Sequence, residues 1–134
     1  MLQISRKSDY AIRGMVYLAS QPLDKISLLG DIAIEMEIPQ TFLSKIFQQF
    51  NKFGLVKSYR GAGGGFQLGR PAGEITLLEI VEAVEGKIVP NRCIMAEGIC
   101  GRDVTCTVHP VWKNIQKSMR DILSRVTLKH LAGK

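Results

Sequence analysis

Residues 38–68 read IPQTFLSKIFQQFNKFGLVKSYRGAGGGFQL, and two halves of that stretch carry different periods. In the first half Pro39 presets a helical first turn, and Phe42, Leu43, Ile46, Phe47, Phe50 and Phe53 recur at helical spacing until Gly54 closes the run. In the second, Leu55-Val56-Lys57-Ser58-Tyr59 and Phe66-Gln67-Leu68 predict two short strands around the loop Arg60-Gly61-Ala62-Gly63-Gly64-Gly65. Upstream, Tyr10, Ala11, Gly14, Met15, Leu18 and Ala19 predict an amphipathic helix over residues 7–20. Ser27 reads as the N-cap of a short second helix whose Leu28, Leu29, Ile32, Ala33 and Met36 face a core. Glu37 and Ile38 form a tight connection. Two short helices, a tight turn and a following hairpin are the layout of a winged helix-turn-helix, so the expected fold is mainly α with a small β-hairpin.

Charge supports a polyanionic partner. The 134 residues carry a formal charge of +6 and a pI near 9.4. Between Ile38 and Gly73 there is no Asp or Glu, while Lys45, Lys52, Lys57, Arg60 and Arg70 all fall there. A basic block inside a patterned segment suggests a folded surface that meets nucleic acid, where a basic tail would not. Opposite the apolar stripe of the third helix lie Gln40, Thr41, Ser44, Lys45 and Gln48, groups suited to base edges and phosphates in a major groove. The glycines around Gly63 predict a thin, flexible wing tip that carries Arg60 towards a groove. A nucleotide-binding loop is rejected, since no Gly-Lys-Ser/Thr follows and the loop leads into a strand instead of opening a helix.

Beyond the hairpin, Thr76-x-x-Glu79 is a capping box with Ile75 and Ile80 as its staple, and the helix it opens runs to Glu85 before Gly86. A last helix starts at Pro110. Its Trp112, Ile115, Met119, Ile122 and Val126 step by 3, 4, 3 and 4, a coiled-coil-like seam that predicts pairing with a second copy. The expected organisation is a DNA-binding unit over 1–86 with its wing at about 55–69, a cysteine-rich loop over 87–109, and a dimerisation helix with its tail over 110–134. No apolar run approaches the roughly 18 residues of a spanning helix, so the expected location is the cytoplasm and no membrane partner is expected.

All three cysteines gather between the last two helices, as Cys93, Cys100 and Cys106, with His109 next, in the pattern C-x6-C-x5-C-x2-H. Structural cysteines scatter through a core, so this grouping points to a metal or redox site. Thiolates are soft ligands suited to iron-sulfur clusters or zinc, and an imidazole can complete the set. Structural zinc sites pair ligands two to four residues apart, so the long arms here favour a cluster, with zinc or a thiol redox switch as alternatives.

Ser8-Asp9-Tyr10-Ala11-Ile12, Gly54-Leu55-Val56, Arg60-Gly61-Ala62-Gly63-Gly64-Gly65-Phe66, the Cys93/Cys100/Cys106/His109 set and Val126-Thr127-Leu128 together resemble the Rrf-type bacterial regulators, the IscR-, NsrR- and RirA-like proteins. The resemblance covers nearly the whole chain. It implies a homodimeric transcription factor on a near-palindromic double-stranded operator, governed by a bound iron-sulfur cluster. It places Thr41, Ser44 and Lys45 at base-reading positions and Arg60 in the minor groove. Ser44 stands where IscR-like members carry a glutamate that separates operator classes, and the first cysteine spacing is one residue longer than theirs. For the fourth ligand it offers His109, as in a 2Fe-2S site, or Asp9, as in NsrR-like 4Fe-4S proteins. The shared loop favours His109 and 2Fe-2S. An enzyme is not expected, since neither histidine has a nucleophile or carboxylate partner in sequence.

Overall fold

A computed structural model describes residues 4–91, 94, 101 and 105–133. The order is α1 (Arg6–Ser20), α2 (Leu29–Glu35), α3 (Gln40–Lys52), β1 (Val56–Tyr59), β2 (Gly65–Leu68), a 3-10 turn (Ala72–Glu74), α4 (Leu77–Glu85), α5 (His109–Arg125) and α6 (Leu128–Leu131). The two strands pair antiparallel, from Val56 opposite Leu68 to Tyr59 opposite Gly65. This is the expected winged helix-turn-helix followed by a long helix.

The core forms where the apolar stripes of α1 and α3 cross. Ala11, Met15, Leu43, Ile46, Phe47 and Phe50 are fully buried there. Gly14 makes the crossing close: a Cβ on it would lie 3.1 Å from both Leu43 and the Phe47 ring. Phe47 also meets the wing, its ring in a T-shaped contact with Phe66 at 5.1 Å between centroids. Not all of the α3 apolar run goes inside. Phe42 and Phe53 are 50% and 60% exposed, because they lie on the flank and just past the end of a helix whose buried face is already filled.

The helix-turn-helix turn is sharp. Glu37 takes a left-handed conformation at φ 55°, which costs a residue with a Cβ on the order of 1 kcal/mol. Arg13 of α1 compensates by donating to the carbonyls of Met36 and Glu37.

Ser27 is not the cap of α2. Leu28 holds that position without a side-chain bond, and Leu28 is 53% exposed, so it does not face the core. Ser27 instead exchanges two backbone bonds with Phe66, at 2.9 and 2.8 Å, and extends the hairpin by a third short edge. Pro39 likewise occupies the N-cap of α3, one residue earlier than expected. The wing glycines are also less free than expected. A Cβ on Gly64 would stand 2.4 Å from the Tyr59 carbonyl oxygen, and one on Gly65 would stand 2.3 Å from that of Ser27. These two are required for close approach of backbones; Gly61 and Gly63 meet nothing within 4 Å.

The capping box on α4 forms as expected: the Thr76 hydroxyl accepts from the Glu79 N–H and the Glu79 carboxylate accepts from the Thr76 N–H. Its neighbourhood holds a feature that the periodicity did not predict. After α5 the chain turns back at Val126, the Leu77 N–H donates to the Val126 carbonyl and the Leu128 N–H to that of Ile75, both at 2.8 Å. The short α6 that follows drives Leu128 into the core beside Ile75, both fully buried.

Leu128→Ala is therefore expected to destabilise the whole unit by about 2–5 kcal/mol, measured by chemical denaturation, whereas the exposed Lys129→Ala is expected to change it little. A second expectation concerns acid. Partial burial raises the Glu79 carboxyl, but the Thr76 backbone N–H and the Arg70 guanidinium outweigh it and hold the group below its ordinary 4.5. The unfolded chain then binds the extra proton, so this stabilisation is present above 4.5 and is lost as pH falls below it. Glu79→Gln, which keeps the capping box but does not titrate, should lose less stability than the parent between pH 7 and pH 4.

Candidate nucleic-acid interface and metal centre

With Leu43, Ile46, Phe47 and Phe50 inside, the opposite side of α3 is formed by Thr41, Lys45, Gln48 and Lys52, all exposed. Gln40 is exposed on the first turn. Ser44 lies half-buried on the flank, where its hydroxyl accepts from Gln48 at 3.4 Å. Pro39 offers no side-chain cap, so the first-turn N–H groups of α3 remain open to an external acceptor such as phosphate. Thr41, Lys45 and Gln48 thus share one outward face, as the sequence pattern predicts.

Arg60 stands exposed at the end of β1, and Gly63 is exposed in the loop beyond it. Tyr59 donates its hydroxyl to Gln67 across the hairpin, which stiffens the strand that carries Arg60. Among the described residues Lys45, Lys52, Lys57 and Arg60 form no ion pair; Arg70 does, with Glu79 at 2.8 Å, and so leaves the basic block. Four cations therefore lie along α3 and the wing without internal neutralisation.

The thiol site is described only on its C-terminal side. Cys93 and Cys100 lie outside the described residues. Cys106 is half-buried, and His109, the first residue of α5, is 7% exposed. The Nδ1 atom of His109 is buried without a hydrogen-bond partner among the described residues. Leaving a buried ring nitrogen unpaired costs on the order of 1–3 kcal/mol, so this atom favours a partner. An imidazole nitrogen without a partner, close in sequence to a half-buried thiol, fits the donor set of a cluster or a zinc ion. Asp9, the other candidate ligand, sits on the first turn of α1. It pairs with Arg13 at 3.2 Å while its side chain stays 63% exposed.

The seam of α5 is only partly covered. Trp112, Ile115, Met119 and Val126 are half-buried, Ile122 is 59% exposed, and Val108 and Val111 are exposed beside it. His109 is the only fully buried residue of that helix. A half-open cavity of about 810 Å3 lies elsewhere, between the end of α1, the base of the wing and α6. Lys25, Arg70 and Lys129 line it, with no His, Cys, Asp or Glu. No described helix is long and apolar enough to cross a membrane.

Known proteins share this architecture. The profile of the Rrf2 family, described as iron-dependent transcriptional regulators, matches residues 4–134. The regulator IscR of Xenorhabdus nematophila is 32% identical over 130 residues, covering 97% of this chain and 79% of that protein. Among solved structures, CymR, the global cysteine regulator of B. subtilis, aligns over 99% of this chain and 98% of its own with 31% identity and a TM-score of 0.79. IscR of T. potens aligns over 97% of this chain and 86% of its own with 27% identity and a TM-score of 0.76. A family profile that spans the winged helix, the thiol segment and the long helix together leaves one conclusion: the chain belongs to the Rrf2 family and is a DNA-binding transcriptional regulator, not an enzyme.

Proposed function

We propose that this regulator binds a near-palindromic operator as a homodimer and that an iron-sulfur cluster held by Cys93, Cys100, Cys106 and His109 governs its affinity. The observation that carries the reading is the buried Nδ1 of His109, without a partner among the described residues, which follows Cys106 in a chain that gathers every thiol in one stretch. When bound, the cluster supplies a group sensitive to iron supply, oxidants or nitric oxide; 2Fe-2S is favoured. The chain's own residues divide the work. Residues 1–86 read DNA, with Gln40, Thr41, Ser44 and Lys45 in the major groove and Arg60 and Gly63 at the minor groove. Residues 87–109 hold the cluster, and Trp112, Ile115, Met119, Ile122 and Val126 of the 110–134 segment pair two copies. The half-covered seam on α5 supports that pairing. Such a regulator acts in the cytoplasm, with the DNA.

A second reading keeps the DNA site but uses the thiols without iron, as a redox switch. The likeness to CymR, a global cysteine regulator, favours it.

The cluster reading expects the protein, purified without air, to contain iron and sulfide and to show a visible absorbance band. Joint replacement of Cys93, Cys100 and Cys106 by Ala should abolish the band, and His109→Ala should alter it more than Asp9→Ala does. Stoichiometric zinc, or a colourless protein whose thiols form a disulfide on mild oxidation, would favour the alternatives.

The DNA reading expects Arg60→Ala to weaken operator binding by about 1–3 kcal/mol. Lys45→Ala should lower the salt slope by about one if it meets phosphate, and relax one base position if it meets a base. Gly63→Ala should leave the melting temperature unchanged, since a Cβ there meets nothing, yet lower affinity if DNA backbone approaches that point. Binding titrations across salt concentrations, with thermal melts of the same samples, separate these outcomes.

A further inference from the structure

The chain just before the cysteines is gripped from two helices at one residue. Ile88 lies in the connection that leaves α4. Its N–H donates to Glu82 Oε2 at 2.9 Å, and its carbonyl accepts from Gln116 Nε2 of α5, also at 2.9 Å. Arg120 of α5 closes the arrangement by donating to both carboxylate oxygens of Glu82, at 2.9 and 2.8 Å. A two-pronged guanidinium–carboxylate pair with a further backbone donor fixes orientation as well as distance. The Arg120 bond, with the Ile88 N–H, also holds the Glu82 carboxyl below its ordinary range, against the opposing effect of partial burial.

Geometry gives the grip its meaning. Cys106 and His109 sit at the N-terminus of α5, while Gln116 lies two turns along the same helix, about 10 Å away at 1.5 Å per residue. Both ends of the cysteine-bearing stretch are therefore fastened to α5, one covalently and one through Ile88. On α4 the next residue after Glu82 reaches a different helix. The Ala83 carbonyl lies in the last turn of α4, just past the Glu82 carbonyl that accepts from the Gly86 N–H, and it accepts from Gln49 Nε2 of α3. Gln49 is half-buried on a flank of α3, and its amide nitrogen is committed to that bond.

We propose that Glu82 and Ala83 form a two-sided coupling point: Glu82, with Arg120 and Gln116, holds Ile88 at the start of the cysteine stretch, and the Ala83 carbonyl passes the state of that stretch to the recognition helix through Gln49. The inference rests on the cluster reading for its signal, but the coupling itself belongs to this chain and can be read without iron. Glu82, Arg120, Gln116 and Gln49 are positioning residues that belong neither to the expected ligand set nor to the Thr41, Lys45 and Gln48 face. Their worth lies in the difference between two states, and a ligand shifts an equilibrium only by such a difference.

The test uses the full chain and a duplex that the protein itself selects from a randomised DNA pool. Affinity for the duplex is measured with the cluster assembled from ferrous iron and sulfide, and again after its removal by a chelator. The parent should differ between the two forms by roughly fivefold or more, the usual scale of allosteric coupling. Gln49→Met should keep the absorbance spectrum of the cluster and the affinity of one form while the ratio falls towards one. Arg120→Met should also collapse the ratio and hasten cluster loss, because Ile88 is released. A purely structural role would lower the melting temperature and leave the ratio intact, so unchanged ratios in both variants overturn the proposal. Hydrogen exchange at the Ile88 amide is read in the same samples without iron. It should slow when the duplex binds in the parent and not in Gln49→Met; equal slowing in both overturns the proposal. If the parent takes up no cluster, or its two forms bind equally, the cluster reading fails by itself and the exchange measurement still decides the coupling.

Discussion

The ring of Phe47 fixes the relation between everything that faces DNA and everything that supports it. It fills the space left by the absent side chain of Gly14, stacks against Phe50 at 6.4 Å, and meets Phe66 on the wing in a T-shaped contact. One residue of α3 thus sets the distance from α1, the pitch of the recognition helix and the height of the hairpin. Close packing of this kind tolerates few arrangements, because interiors are dense and a lost contact is not replaced. The outward face of α3 and the arginine at the end of β1 inherit their relative position from that buried contact.

Electrostatics follow the same division. Three carboxylates on the supporting helices are paired: Asp9 with Arg13, Glu79 with Arg70, and Glu82 with Arg120. Two of these three arginines lie outside the reading surface, and Arg70 is withdrawn from it by its pair. What remains on α3 and the wing is cationic without competing anions. Most of these pairs are partly exposed, so their contribution to stability is small and their value lies in orientation.

Much of this was legible in the chain, and the misses have physical causes. The capping box of Thr76 and Glu79, the stripe of α3 and the hairpin strands depend on neighbours close in sequence, so local spacing reveals them. Ser27 was misread because its partner is Phe66, and a backbone pairing so distant in sequence leaves no local trace. The wing glycines look like freedom in a sequence. In the fold, Gly64 and Gly65 are places where carbonyls of Tyr59 and Ser27 leave no room for a side chain. The short α6 leaves no signal in the periodicity because one turn has no period, although Val126, Thr127 and Leu128 belong to the family-like segments. Of the four expected metal ligands, the fold brings Cys106 and His109 to the start of α5, while Cys93 and Cys100 lie outside the described residues.

The return of the chain at Val126 also bears on how the protein is made. The Ile75–Leu128 bridge completes a core whose other walls come from residues 11 to 81. A chain leaving the ribosome can form α1, α3 and the wing early, yet it carries an open apolar wall until residue 128 is synthesised. Folding of the DNA-reading unit is thereby delayed until the thiol segment and the long helix have also emerged, and a chain cut short before that point leaves hydrophobic surface for chaperones and proteases to find.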